Sequence, residues 1–167
     1  MQASHAGLIR GLSITTVVIS LLCILLLGAL LAFIGLAGAM MDNHDARSQL
    51  TYELVLNPDE IQTLESLGIP ADDPAILAEW IIQTLGVVAD VLMVAHIIVF
   101  VAGIMGIRGA RRAEKLGALF VWMIVATIAS LVGCNPVLLV LSIIIAILAA
   151  GERRVAAVPD EGAHFAQ

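Results

Sequence analysis

The uncharged apolar run from Gly11 to Met41 constrains the fold of this chain more than any other feature. As an α-helix it would be about 46 Å long, whereas the hydrocarbon core of a bilayer is about 30 Å thick. The rest of the chain has the same character, with 60% hydrophobic residues, 13% charged residues and a mean hydropathy of +1.04. Soluble domains contain about 45–50% apolar and about 25% charged residues. The sequence therefore predicts an all-α integral membrane protein.

A secretory signal peptide is the competing interpretation of this run, because Ala37-Gly38-Ala39 resembles a cleavage site. The apolar part of a signal peptide spans about 7–15 residues, and this run is far longer. Gly28, Ala32, Gly35 and Ala39 also place small side chains three or four residues apart, which allows a neighbouring helix to approach closely. We therefore predict a retained transmembrane helix at residues 11–41.

Three further apolar segments complete a predicted set of four transmembrane helices. Asp73-Pro74 marks the start of the longest, residues 75–107, because Asp caps helix N-termini and Pro suits the first helical position. Asn135-Pro136 caps the start of residues 136–150. Only a turn at residues 133–135 separates that segment from residues 116–132, which predicts an antiparallel hairpin. The expected fold is a four-helix (tetraspan) membrane protein in which the first two helices are longer than the last two.

The segment between the first two helices, residues 42–74, is acidic and contains a single basic residue, Arg47. Residues 50–54 alternate between apolar and polar side chains, which favours a short strand or extended segment. Asn57-Pro58 then predicts the start of a short amphipathic helix that ends at Gly68. We expect a small folded segment here rather than an unstructured linker.

Basic residues fall on one side of the four predicted helices. They flank the first helix, fill the loop at residues 108–115 and follow the last helix, as Arg10, Arg108, Arg111, Arg112, Lys115, Arg153 and Arg154. Because short cytoplasmic loops carry the excess of Lys and Arg, this pattern places residues 1–10 and a short disordered tail, residues 151–167, in the cytoplasm. Residues 42–74 then lie outside the plasma membrane.

Asp90 is an acidic residue within the predicted helix 75–107. It lies eighteen positions before Arg108, about 27 Å along the helix, and hence near the outer end of a membrane span. We expect its carboxylate to accept hydrogen bonds from the free amides at the start of the fourth helix, where the helix dipole favours an anion. The alternative is a carboxylate on an ion pathway.

His96 is the second ionisable residue of that helix, about 18 Å from the basic flank. By the same count Cys23, Thr127 and Ser142 lie near its level, so we expect a neutral histidine bonded to hydroxyl groups inside the bundle. A proton relay and a metal ligand are the sharper alternatives, although one histidine and one cysteine supply only half of a zinc site. We therefore predict no catalytic, cofactor or metal site.

The charge and the cysteine count exclude two further classes of function. A formal net charge of −6 argues against nucleic-acid binding, which needs a basic patch. Two cysteines, Cys23 and Cys134, are too few for a disulfide framework.

The glycine-rich end of the second helix (Gly103, Gly106 and Gly109), the basic inner turn and a first outer segment much larger than the second resemble small uncharacterised bacterial tetraspan membrane proteins. The topology is also similar to that of claudins and tetraspanins. The outer-loop cysteines of those two families are missing from residues 42–74.

Our leading functional hypothesis is a non-enzymatic membrane protein that binds a membrane-protein partner as an accessory subunit, or binds a second copy as a homo-oligomer. About 15 Å of each long helix is expected to extend beyond the lipid bilayer as a paired stalk. Its apolar side chains would form the interface, namely Phe33, Met40, Leu77, Trp80 and Ile81. A transporter or channel subunit using Asp90 and His96 is the alternative, and a membrane enzyme with outer catalytic groups is a weaker third.

Overall fold

The computed structural model describes residues 5–41, 57–71, 73–110 and 112–156. Within these residues the chain is entirely helical and contains no strand. A short 3₁₀ helix lies at Ala113–Lys115, and the α-helices are α1 (Ala6–Met41), α2 (Pro58–Ser66), α3 (Pro74–Gly109), α4 (Leu116–Val132) and α5 (Pro136–Ala156). The extended segment predicted at residues 50–54 lies outside the described residues.

Three of these helices are long and apolar enough to cross a membrane: α1, α3 and the part of α5 from Pro136 to Arg154. α1 and α3 have 36 residues each, which corresponds to about 54 Å. α4 is apolar throughout but has 17 residues, about 26 Å of helix. An all-helical chain with several such helices is suited to association with a membrane.

Capping hydrogen bonds stabilise the N-termini of α2 and α3. The backbone N–H of Asn57 donates to Glu60 Oε2 at 2.9 Å at the start of α2. At the start of α3, the Ala75 N–H donates to Asp73 Oδ1 at 2.8 Å. Each bond satisfies a backbone donor that the first turn of a helix leaves free. Gly68 follows α2 with a φ of +77°, a conformation that glycine adopts without steric cost.

The turn between α4 and α5 is a Schellman motif, in which a left-handed residue ends the helix. Cys134 holds the left-handed position with a φ of 49°. Its N–H donates to Leu131 O at 3.1 Å, and the Asn135 N–H donates to Ser130 O at 3.1 Å, the two bonds that define the motif. Asn135 then caps α5, since its Oδ1 accepts the Leu138 N–H at 3.1 Å.

α5 continues to Ala156, so the disordered tail predicted from residue 151 is wrong for its first six residues. One contact and one charge effect explain the extension. Glu152 Oε1 accepts the backbone N–H of His5 at 2.6 Å, which ties the end of α5 to the start of α1. Arg153 and Arg154 occupy the last turn, where positive charge interacts favourably with the helix dipole.

The chain divides into two compact units, to which both long helices contribute. Unit 1 comprises Met1–Leu25 and Leu92–Gln167, and unit 2 comprises Leu26–Val91. Unit 1 contains the first part of α1, the second part of α3, α4 and α5, and its fully buried apolar residues include Val99, Met123 and Leu138. Unit 2 contains the remaining parts of α1 and α3 together with α2.

Candidate functional site

One face of α1 in unit 1 is lined by hydroxyl groups that point into the unit. Ser13, Thr16 and Ser20 are 0% exposed, and their spacing of three and four residues puts them on one helix face. Thr16 Oγ1 donates to Leu12 O at 3.0 Å, and Ser20 Oγ donates to Thr16 O at 2.6 Å. The Thr16 and Ser20 hydroxyls therefore bond to the backbone of their own helix.

The same face of α1 meets two glycines of α3 at very short range. A Cβ atom added to Gly103 would lie 2.7 Å from Val17 Cγ2, and one added to Gly106 would overlap the Ser13 hydroxyl. No residue larger than glycine fits at Gly106 unless Ser13 or the helix backbone moves. Small residues at this spacing are a common means of packing helices closely in membranes.

His96 is buried in unit 1, with 5% of its surface exposed. Its Nδ1 lies 2.7 Å from Leu92 O; since a carbonyl can only accept, Nδ1 carries the proton and donates. The ring also lies against the turn between α4 and α5, because a Cβ on Gly133 would be 3.2 Å from His96 Cε1. Within the described residues this is its one hydrogen bond. A backbone carbonyl, and not the expected hydroxyl groups, is thus its partner.

Thr127 and Ser142, expected at the level of His96, bond to each other instead. Thr127 Oγ1 lies 3.1 Å from Ser142 Oγ and 2.8 Å from Met123 O, and Ser142 Oγ donates to Leu139 O at 2.9 Å. The pair joins α4 to α5 inside unit 1. These contacts give each buried hydroxyl a hydrogen-bond partner. A hydroxyl buried away from water without a partner would destabilise the fold.

Cys23 is half-buried and contacts the turn between α4 and α5. Asn135 Nδ2 donates to Cys23 Sγ at 3.5 Å, while Asn135 Oδ1 caps α5. The amide of Asn135 therefore fills the capping role that the sequence suggested for Asp90. The Asp90 side chain is exposed in unit 2 and makes no hydrogen bond or ion pair with a described residue.

Sequence reasoning missed most of the buried polar groups of unit 1. Ser13, Thr16, Ser20 and Ser130 were not proposed, although the regular spacing of hydroxyls within the uncharged helix α1 was a usable signal. Ser13 Oγ and Ser130 Oγ are buried without a hydrogen-bond partner among the described residues.

The polar groups of unit 1 are distributed along its length and do not converge on one point. Hydrogen bonds join them mainly to backbone carbonyls. One side-chain pair joins α4 to α5, and another joins Cys23 of α1 to Asn135 in the turn between α4 and α5. In the described ranges, no three His, Cys, Asp or Glu side chains come together as a group that could hold a metal ion. The arrangement serves to pack helices.

Unit 2 pairs the second part of α1 with the first part of α3. A Cβ on Gly38 would lie 3.9 Å from Ile82 Cγ2, and one on Gly86 would lie 3.8 Å from Ile34 Cγ2. A step of four residues backward along α1, from Gly38 to Ile34, corresponds to a step of four residues forward along α3, from Ile82 to Gly86. Within unit 2 the two helix segments are therefore antiparallel neighbours.

The paired segments of unit 2 expose large apolar side chains. Phe33 is 68% exposed and Met40 is 52% exposed on α1, while Trp80 is 37% and Ile81 38% exposed on α3. Leu77, which the sequence suggested for the same surface, is 3% exposed and belongs to the interior. We call Phe33, Met40, Trp80 and Ile81 the apolar surface of unit 2.

The chain matches no model of a known protein family, no curated protein and no solved structure. Its function must therefore be inferred from the geometry of the two units.

Proposed function

We propose that this chain is a non-enzymatic, four-span membrane protein that acts by associating with a membrane-protein partner or with a second copy of itself. The apolar surface of unit 2 is the observation that supports this proposal. Its four side chains are 37–68% exposed, and large apolar side chains left exposed on a protein can mark an interaction site.

The lengths of α1 and α3 support a position of the apolar surface of unit 2 outside the hydrocarbon core of the bilayer. α1 and α3 are each about 54 Å long, whereas the core to be crossed is about 30 Å thick. A tilt near 20° lengthens the path by only a few per cent. Counted from Arg10 and Arg108, a span ends near residue 30 of α1 and near residue 88 of α3. The apolar surface lies past both points.

α2 is too small to cover an apolar surface on both paired segments. It has nine residues, about 14 Å of helix. Its apolar residues Ile61 and Leu64 are half-buried, while Leu67 after its last turn is 69% exposed. Within the described part of unit 2, α2 therefore adds exposed apolar area of its own.

Three contacts in unit 1 support a topology with both ends of the chain on one side of the membrane. Glu152 bonds the backbone of His5, and the 3₁₀ helix Ala113–Lys115 packs against both α4 and α5. These contacts bring the basic flanks of the helices to one end of unit 1. By the positive-inside rule that end is cytoplasmic, with α4 as the fourth span of the plasma membrane.

The orientation is tested by cysteine labelling of intact cells, in a chain whose Cys23 and Cys134 are replaced by Ala. A cysteine introduced at Thr63 is expected to react with an impermeant reagent. One introduced at Ala113 is expected to react only after the cells are opened. The reverse pattern contradicts the orientation.

The association is tested by replacing Trp80 and Ile81 with Ser and measuring the mass of the native complex extracted in a mild detergent. We expect the complex to dissociate, because buried aromatic residues dominate the energy of interfaces. The matched control replaces Leu131 and Val132 of unit 1, which are 66% and 50% exposed, and should leave the complex intact. A wild-type chain that is monomeric, or a double variant that stays assembled, contradicts the proposal.

His96 gives a specific reason to test the second candidate, an ion- or proton-coupled transport or channel subunit. Its ring is buried, and its Nε2 has no hydrogen bond within the described residues. Asp90 is six positions away on α3, about 9 Å along the axis and on a different face. Proton flux into liposomes that His96→Gln abolishes at unchanged thermal stability would favour this candidate.

A further inference from the structure

An open groove of about 580 Å³ lies on unit 1 between α4 and α5. Its walls are apolar side chains, with Phe120, Ile124 and Ile128 on α4 facing Ile143 and Ile147 on α5. Ile128 and Ile147 are 60% and 66% exposed, so the groove opens outward from the unit. Such a groove would be filled by hydrocarbon wherever the helices cross a membrane.

The groove has the length of one membrane leaflet. Its lining on α5 begins at Ile143 and ends at Arg154, eleven positions or about 16 Å apart. Half of a hydrocarbon core about 30 Å thick is about 15 Å. A single acyl chain extended along the groove therefore has its ester end at the level of Arg154.

The end of the groove at Arg154 is positively charged. Arg154 is exposed and makes no ion pair or hydrogen bond with any described residue. The nearby acid Glu152 bonds the backbone of His5 through Oε1. Basic pockets between membrane helices on the cytoplasmic side are suited to anionic lipid headgroups, and a guanidinium matches the geometry of a phosphate.

We propose that this groove binds a phospholipid with a net negative headgroup. One acyl chain lies along the isoleucines of α4 and α5, and the Arg154 guanidinium binds the phosphate. The inference rests on the proposed membrane spans of α4 and α5. It uses only residues of unit 1 and does not depend on association through unit 2, so the lipid site and the association can fail separately.

The test compares two lipids with the same acyl chains, palmitoyl-oleoyl phosphatidylglycerol and palmitoyl-oleoyl phosphatidylcholine. Full-length protein in detergent is titrated with each lipid, and bound lipid is counted by native mass spectrometry. We expect about fivefold tighter binding of phosphatidylglycerol, the size expected for one basic side chain near an anionic surface. Equal binding of the two lipids by the wild-type chain overturns the proposal, whatever the variants below do.

Arg153 provides a matched control for the headgroup. It is the exposed neighbour of Arg154 in the last turn of α5 but does not line the groove. Arg154→Gln is expected to remove the fivefold preference, and Arg153→Gln is expected to keep it. If both variants lose it equally, the preference comes from the general charge of this helix end and the groove assignment is wrong.

Ile147 and Ile144 provide a test residue and its matched control for binding of the acyl chain. Both are exposed on α5, at 66% and 39%, and only Ile147 lines the groove. Ile147→Trp fills the groove and is expected to weaken binding of both lipids at least fivefold, while Ile144→Trp leaves it unchanged. Equal effects of the two substitutions contradict an acyl chain in this groove.

Discussion

The two units use similar apolar sequences in different ways. In unit 1, large apolar residues such as Met123, Leu138 and Ile145 are 0% exposed, and helices approach closely enough to exclude a Cβ at Gly106. In unit 2 the buried apolar residues are mostly small, namely Ala71, Ala75, Ala78 and Ala89 with Leu77, while Phe33 and Trp80 remain exposed. Both units expose large apolar side chains, but unit 1 also buries several large ones in its interior.

The distribution of polar groups reinforces this contrast. Unit 1 places hydroxyls such as Ser13, Thr16 and Ser142 at 0% exposure, while residues such as Leu25 and Ile147 are more than 60% exposed. A helix bundle whose solvent is lipid is expected to have this arrangement, because hydrocarbon offers no partners for polar groups. Unit 2 instead exposes the carboxylate of Asp90 together with its apolar surface.

The contrast predicts very different costs for the same truncation in the two units. Met123→Ala removes a fully buried side chain of unit 1 and is expected to lower the free energy of unfolding by about 2–5 kcal/mol. Met40→Ala in unit 2 removes a side chain that is 52% exposed, so its cost should stay within about 0.5 kcal/mol. Thermal unfolding in detergent measures both, and equal losses would remove the distinction between the units.

Glycine substitutions are expected to have opposite signs in the two units. Gly106→Ala places a Cβ against the Ser13 side chain, and overpacking of this kind costs about 1–3 kcal/mol. Gly35→Ala of α1 in unit 2 meets nothing within 4 Å, and alanine is the better helix former by up to about 1 kcal/mol. Melting temperatures that fall for the first variant and hold or rise for the second support close packing in unit 1 alone.

The smallest predicted effect concerns Cys134 and Gly68, the left-handed residues within the part of the chain that the structure describes. Cys134→Gly relieves a φ of 49° in unit 1 and should raise stability by about 0.5–1 kcal/mol. Gly68→Ala introduces the same strain at a φ of +77° in unit 2, where nothing lies within 4 Å to add a collision, and should lower stability by a similar amount. If Cys134→Gly instead lowers stability, the Cys134 side chain stabilises the fold by more than the strain of its left-handed backbone destabilises it.

The helix ends that the sequence predicted are those with local signals, whereas α1 begins at Ala6, five residues before its prediction. α4 occupies the predicted residues 116–132, and α3 begins at Pro74, one residue before its prediction. The signals were Asp73-Pro74 and Asn135-Pro136, whose capping needs only a few neighbouring residues. The extension of α5 to Ala156 was not predicted, because part of its stabilisation comes from Glu152 bonding the distant His5.

Which face of each helix is buried was decided only by the tertiary structure. The sequence selected His96, Cys23, Thr127 and Ser142 by depth, and the structure brings Thr127 to Ser142 but gives His96 and Cys23 other partners.

Leu77 and Phe33 show that the sequence also did not predict which apolar residues of unit 2 are buried. The sequence grouped them as one interface, yet Leu77 is 3% and Phe33 68% exposed. The physical reason is that lipid tails are as apolar as a protein core, so a helix in a membrane needs no polar outer face to mark its orientation. Composition therefore determined that these segments are long apolar helices, and only packing between distant helices decided which of their side chains lie inside.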